Sequence, residues 1–349
     1  MENMAGKAWT VLGPIEPSQL GITLVHEHLL IDEVPAAFEL PAQASQRILA
    51  RQPVSLELLG WLRTNGSISN EDNLRLDDEE VMAEEILRFK YAGGRTIVDA
   101  TSIGLGRDPE GLRRLSLRTG LNVIAGSGYY VAASHPREIE SKDIDDIKTE
   151  IINDIHVGIQ SSGVQAGIIG EIGTTYPCSP NERKVLQAGA RAQLETGAPV
   201  EVHPGRNRRM PGMILDLLEK EGADLSRVVM CHVEARLGDF AEVKSIADRG
   251  CFIGFDLFGQ SWTPYVFEIP MPSDGSRVHR IKQLVEDGYV DKILVSHDID
   301  NKISLHRFGG HGFDHILLNI VPLMLKLGIA PEDIHKILLE NPARLLAFT

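Results

Sequence analysis

Short β-branched and apolar runs recur along the chain, each ending in polar residues or glycine and each followed by a stretch with helical spacing. That alternation is the mark of βα units. It predicts strands near Ile22–His28, Arg95–Thr101, Asn122–Tyr129, Ala166–Gly173, Pro199–His203, Val228–Val233, Phe252–Leu257 and Ile293–Asp298. Eight is the number that closes a parallel barrel. The intervening helices carry readable ends. Asp77 with Glu80 reads as a capping box ahead of a helix stopped by Gly93 and Gly94, and Asp108-Pro109 opens another that stops at Gly120. Ser179, Pro180 and Glu182 start a third that runs to Gly197, and later segments near Pro211–Lys220, Phe240–Arg249 and Arg277–Asp287 close on Gly222, Gly250 and Gly288.

A doubly wound open sheet shows the same alternation. The polar residues favour a (β/α)8 TIM barrel, because histidines and carboxylates recur near strand C-termini, where a barrel assembles its site. Residues 1–349 then form a single barrel domain. One stretch breaks the repeat: Phe38–Arg75, between the first and second strands, is too long for a plain connection. It reads as a cap insertion, partly helical, with Leu58 and Trp61 packing down on the barrel mouth; the alternative is a surface excursion.

Composition narrows the classes. Forty-nine acidic against 35 basic side chains give a formal charge of −14, which argues against a nucleic-acid partner. The longest apolar stretches, such as Ile316–Leu327, are interrupted well before the roughly 18 residues a membrane span needs. No secretory pattern opens the chain, so a cytoplasmic location is expected. Cys178, Cys231 and Cys251 sit among apolar neighbours and are expected as buried free thiols. A homodimer is the base-rate expectation for assembly.

His26 and His28, two apart on the first strand, share a face. Paired imidazoles suit a divalent ion, although a single strand histidine is usually an ordinary core residue. His203, His232 and Asp298 each end a further strand, and Glu171 ends the fourth, flanked by glycine. The plain alternative for Glu171 is pairing with a basic neighbour. Four histidines and two carboxylates exceed what one catalytic metal uses while keeping a position open. Two metals sharing a carboxylate account for them, and such a pair activates water for hydrolysis. Asp298 then both holds a metal and accepts the proton of the attacking water.

GITLVHEHL, GEIG, VHPGRN, SHDID and the terminal NPARLL resemble the phosphotriesterase family of the amidohydrolase superfamily, over essentially the whole chain. The resemblance implies that His26, His28 and Asp298 hold one metal, His203 and His232 the other, and that Glu171 bridges them. It implies two divalent ions, zinc foremost, with manganese, iron or cobalt accepted by the same donors. Glu171 stands where phosphotriesterases proper carry a carbamylated lysine, as in the phosphotriesterase-related and homology-protein branches. Leu257 stands where phosphotriesterases carry a histidine and related lactonases an arginine. With DLFG, the GGHG stretch at Gly309–Gly312 and RQPVSLELLGWL, this points to the phosphotriesterase-related branch. The implied reaction is attack of a metal-bridging hydroxide on the carbonyl of a small N-acyl amino acid or N-acyl amino sulfonate. Lactonase or carboxylesterase activity comes second, phosphotriester hydrolysis third, and a ligand-binding protein on a decayed barrel is the competing class.

Substrate contacts follow from position. Tyr130 ends the third strand and faces the site, with Tyr129 turned away; Arg206 and Asn207 follow His203. A guanidinium at 206 suits a substrate carboxylate or sulfonate, or pairs with Glu234. Asp256 points inward as an orienting group for a ligand, or serves as a structural carboxylate. His306, Arg307 and His311 either line the mouth or form a solvated loop. His297 faces away from Asp298, and His135, His156, His279, His315 and His335 are read as ordinary.

Overall fold

The computed structural model describes residues 5–65, 67–261 and 271–349. The eight predicted strands are present as β1 (Thr23–Glu27), β2 (Thr96–Asp99), β3 (Asn122–Ser127), β4 (Ile168–Gly173), β5 (Val200–His203), β6 (Val228–Met230), β7 (Phe252–Phe255) and β8 (Ile293–Val295). They form one parallel sheet in chain order. Around it lie α1 (Glu79–Tyr91), α2 (Pro109–Thr119), α3 (Ile144–His156), α4 (Pro180–Thr196), α5 (Met210–Lys220), α6 (Phe240–Ala247) and α7 (Asp274–Glu286). The result is a (β/α)8 barrel, closed by a broken helical tail between Ile316 and Leu346. No described helix is long and apolar enough to cross a membrane.

Most of the predicted ends hold. Asp108 and Ser179 cap their helices, and Gly120 and Gly197 end them in the left-handed conformation at φ 68° and 71°. The cap of α1 is Asp78, not Asp77: its backbone is extended and its carboxylate accepts from the amides of Glu80 and Val81. The helix α3 is additional to the sequence reading, although Asp143 and Asp146 form a capping box and Ile147, Ile151 and Ile155 make a buried stripe. Cys231 and Cys251 are buried free thiols, whereas Cys178 is only half-buried. An N-terminal hairpin, Ala8–Thr10 against Gly13–Ile15, also lay outside the prediction.

β1 and β8 meet at a seam held by side chains. The amide of Asp298 donates to His26 O at 3.2 Å, and the amide of His26 donates to Ser296 Oγ at 3.0 Å. The Glu27 carboxylate does the rest. Oε1 accepts from Ser296 Oγ (2.8 Å), His297 N (2.9 Å) and His297 Nδ1 (2.7 Å), and Oε2 accepts from Ile299 N (3.0 Å). Glu27 is fully buried, so removing it strands several donors in the interior. Glu27→Ala is expected to lower unfolding stability by about 3–5 kcal/mol in urea titrations; a loss under about 1 kcal/mol would show that the seam is held elsewhere.

The long excursion after β1 has its feet tied together: Ile31–Asp32 pairs antiparallel with Arg75–Leu76. Between them stand the helix Leu56–Asn65 and shorter turns. Val54, Leu58, Leu59 and Leu62 bury against Ile303, with Trp61 and Phe308 packed alongside. Asn73 accepts from Lys302 N (2.9 Å) through its carbonyl and from Ile303 N (3.0 Å) through its side chain. The segment therefore leans on the chain that follows β8, the same chain that delivers Asp298.

Candidate metal centre

Strand ladders stop short where side chains are delivered. The sequence pattern carried the sixth and eighth strands to Val233 and Asp298, but the ladders end at Met230 and Val295. Beyond them His232 and Asp298 both adopt φ 55°, a left-handed conformation that non-glycine residues avoid. Such outliers persist where the surroundings over-determine them, and they cluster at functional sites. Here the turn aims an imidazole and a carboxylate at one point above the barrel.

The six predicted donors converge there. His28 Nε2 lies 3.3 Å from both Glu171 Oε1 and Asp298 Oδ1, and His26 Nε2 lies 3.2 Å from Asp298 Oδ1 and 3.8 Å from Glu171 Oε2. His203 Nδ1 is 3.2 Å from Glu171 Oε2 and 3.0 Å from His232 Nε2, which is itself 4.0 Å from Glu171 Oε2. Glu171 thus stands between two pairs of imidazoles. Ligand atoms of His26, His28 and Asp298, and again of His26, Glu171 and His232, fall within 4.8 Å of one another.

The donors fit a metal pair. His26 Nε2 and Glu171 Oε2 are buried with no hydrogen-bond partner, an expensive arrangement unless a cation takes them. Burial works against the charged form of Glu171, yet the imidazoles of His26, His203 and His28 hold its carboxyl far below the usual range. Asp298 is likewise held well below its ordinary value, against burial, by His26, His28 and His232. Burial pushes His203 down to about 3 and His232 down to about 4, so both are neutral, as a ligand must be. His26 and His28 are raised well above the ordinary imidazole value: burial opposes the charge, but neighbouring carboxylates overcome it. Near neutral pH an incoming ion therefore displaces protons from these two. Metal uptake is expected to release protons, and affinity to rise with pH until the raised values are passed; calorimetry in buffers of different ionisation enthalpy checks this, and buffer-independent heats would refute it.

Three of the four imidazoles are held by acceptors behind them. Asp256 Oδ1 lies 2.7 Å from His232 Nδ1, and the same carboxylate accepts from His232 N. Thr101 Oγ1 lies 2.9 Å from His28 Nδ1, and Glu201 Oε1 lies 2.8 Å from His26 Nδ1. Burial pushes Asp256 up to about 7. Asp256→Asn is expected to weaken metal binding about 10–100-fold, since the amide offers a poorer acceptor; competition with a chelator measures it, and unaltered affinity would refute the orienting role.

The structure also places the candidate substrate contacts. Tyr130 Oη is 3.2 Å from His203 Nδ1, whereas Tyr129 turns away to Glu150 Oε2 at 2.5 Å. Glu234 faces Arg277 at 3.3 Å rather than Arg206. Arg206 is exposed, within electrostatic reach of Glu33, Asp300 and Glu39. Asn207 uses its side-chain oxygen locally, accepting from Arg209 N at 3.0 Å. His306 pairs with Asp314 (2.6 Å), the amides of His306 and Arg307 donate to Glu85, and His311 stacks on His297 at 5.5 Å. His297 itself turns to Glu27. Glu201, Thr101 and Arg236 are further groups against the imidazoles that the sequence reading left out. Glu201 was findable, since it lies two before His203 on one strand and so shares its face.

A model of the phosphotriesterase family matches residues 6–346. The chain belongs to the phosphotriesterase family. It is 41% identical over 351 residues to the N-acetyltaurine hydrolase of Bos taurus, with all of both chains covered. Among solved structures it is similar to a resiniferatoxin-binding protein from Rhodobacter sphaeroides, at 37% identity and TM-score 0.94, covering 98% of this chain and 95% of that one. It is also similar to a lactonase from Listeria monocytogenes, at 26% identity and TM-score 0.79, covering 98% and 99%. As a phosphotriesterase-family barrel the chain is a metal-dependent hydrolase.

Proposed function

We propose that this hydrolase cleaves small N-acyl amino sulfonates or N-acyl amino acids, N-acetyltaurine foremost, at a binuclear centre held by His26, His28 and Asp298 on one side and His203 and His232 on the other, with Glu171 between. What carries the reading is the convergence of six donors around two buried atoms without partners, His26 Nε2 and Glu171 Oε2, in a chain that matches N-acetyltaurine hydrolases end to end. Zinc is the resident ion we propose, because imidazole and carboxylate donors suit it; metal analysis of protein purified without added ions tests this. When bound, the pair supplies Lewis acidity and draws the pKa of a shared water toward about 7. Asp298 takes the proton of the attacking water. Tyr130 Oη donates to the carbonyl oxygen or the departing nitrogen. Arg206, with Asn207 beside it, receives the anionic end of the substrate, and Asp256 holds His232 in place. The segment 38–75 covers the mouth, tied to the loop after β8 by Arg63 Nη2 donating to Gly309 O at 2.7 Å.

The test is a rate panel on metal-loaded protein: N-acetyltaurine, N-acetyl amino acids, a γ-lactone and an aryl phosphotriester, each with a chelated control. Chelator-sensitive turnover highest on an N-acyl substrate supports the reading. A faster lactone would favour the second reading, which the likeness to the Listeria lactonase motivates. Binding without turnover of any substrate would favour a ligand-binding barrel.

A further inference from the structure

Arg236 carries a buried charge with no contact ion pair among the described residues; Asp256 and Asp298 act on it only from a distance. It ends the short helix Val233–Arg236 after β6 and is 6% exposed. Its Nε donates to Pro204 O at 2.7 Å, and its Nη2 lies 3.4 Å from His203 Nε2. Other buried arginines are provided for: Arg277 has Glu234 and Asp274, Arg107 has Asp154, and Arg227 ends on backbone carbonyls. A guanidinium has five N–H donors and no acceptor, and burying it unpaired is costly.

His203 does not relieve this in the loaded centre. Its Nδ1 is the atom that faces Glu171 and His232, so Nδ1 is the nitrogen a metal takes. A neutral imidazole bound through Nδ1 carries its proton on Nε2. Arg236 Nη2 then meets a donor, not an acceptor. Arg206 adds a second cation close enough for each to act on the other. Two guanidiniums that repel each other, one of them buried, are stabilised by an anion lodged between them.

We infer that Arg236, with Arg206, forms an anion subsite that reads the sulfonate or carboxylate of the acyl substrate; the assignment rests on the amidase reading above. Arg236 addresses the far edge of the same imidazole whose Nδ1 faces the metals. The anion is thus held about one ring's breadth from the reacting carbonyl, a span suited to a two-carbon amino acid or amino sulfonate.

The experiment pairs calorimetric binding of ethanesulfonate to metal-loaded protein with kinetics on N-acetyltaurine and on neutral phenyl acetate. Arg236→Gln keeps a donor for Pro204 O while removing the charge. At matched metal occupancy it is expected to weaken ethanesulfonate and raise the KM for N-acetyltaurine about ten- to a hundredfold, a loss at least about tenfold larger than that on phenyl acetate. Arg236→Lys is expected to recover part of the anion affinity, and it carries the test should the glutamine variant not fold. Unchanged ethanesulfonate affinity in a metal-loaded variant, or equal losses on both substrates, would overturn the inference. Wild-type protein that binds ethanesulfonate through Arg236 but leaves N-acetyltaurine intact would overturn the amidase reading and leave the anion subsite standing.

Discussion

Glu171→Ala is expected to lose metal and hydrolysis together. Among the described residues its carboxylate alone reaches all four imidazoles, at 3.3 Å from His28, 3.2 Å from His203, 3.8 Å from His26 and 4.0 Å from His232, whereas Asp298 reaches three. Without it, four imidazoles face one another with only Asp298 to offset the charge of two cations. A cation pair at close range is tolerable only when a shared anion screens it, so the residues left would hold two ions poorly, and water activation would be lost with the metal. Several kcal/mol of transition-state stabilisation go with that loss, at least about a 10³-fold fall in kcat/KM. Metal analysis after dialysis and rates at saturating metal are the paired measurements. A variant with full metal content would sink the bridging assignment. One that regains activity when excess metal is added would show that the carboxylate serves affinity alone.

The βα rhythm was legible because strand and helix periods differ and because helix ends write themselves in short side chains and glycine, as at Asp108, Ser179, Gly120 and Gly197. What stayed hidden was of two kinds. The ladders of β6 and β8 end early since His232 and Asp298 leave the strand conformation, and periodicity registers residue type, not backbone dihedral. The groups behind the imidazoles were hidden because their partners lie far off in the chain: Glu201 meets His26 at a separation of 175 residues, and Glu27 meets His297 at 270. Glu201 and His203 alternate on one strand, which supplied a usable signal. Arg236 supplied none, since nothing in a four-residue offset from His232 says that its guanidinium reaches back to β5.

Asp298→Asn is expected to keep much of the centre's geometry and lose most of its rate. An amide oxygen can still face His26 and His28 where Oδ1 now sits at 3.2 and 3.3 Å, but an amide does not accept the proton of the attacking water. General-base catalysis contributes about 10²- to 10⁴-fold, which is the expected drop in kcat at saturating metal. The pH profile separates this from simple metal loss. Because the imidazoles hold Asp298 well below the usual carboxylate range despite its burial, the acceptor is available at every working pH. The acid side of the wild-type profile is therefore expected to follow metal occupancy, which weakens as His26 and His28, both raised, regain their protons. Removing the Asp298 charge also lessens the raising of His26 and His28, so the variant's occupancy is measured at each pH, and its rate per bound metal should fall at all of them. A variant within about tenfold of wild type at full occupancy would move the proton acceptor elsewhere. Leu257, buried after β7, offers no imidazole to take that part, so the search would pass to Asp300 and Glu33, carboxylates within electrostatic reach of Asp298.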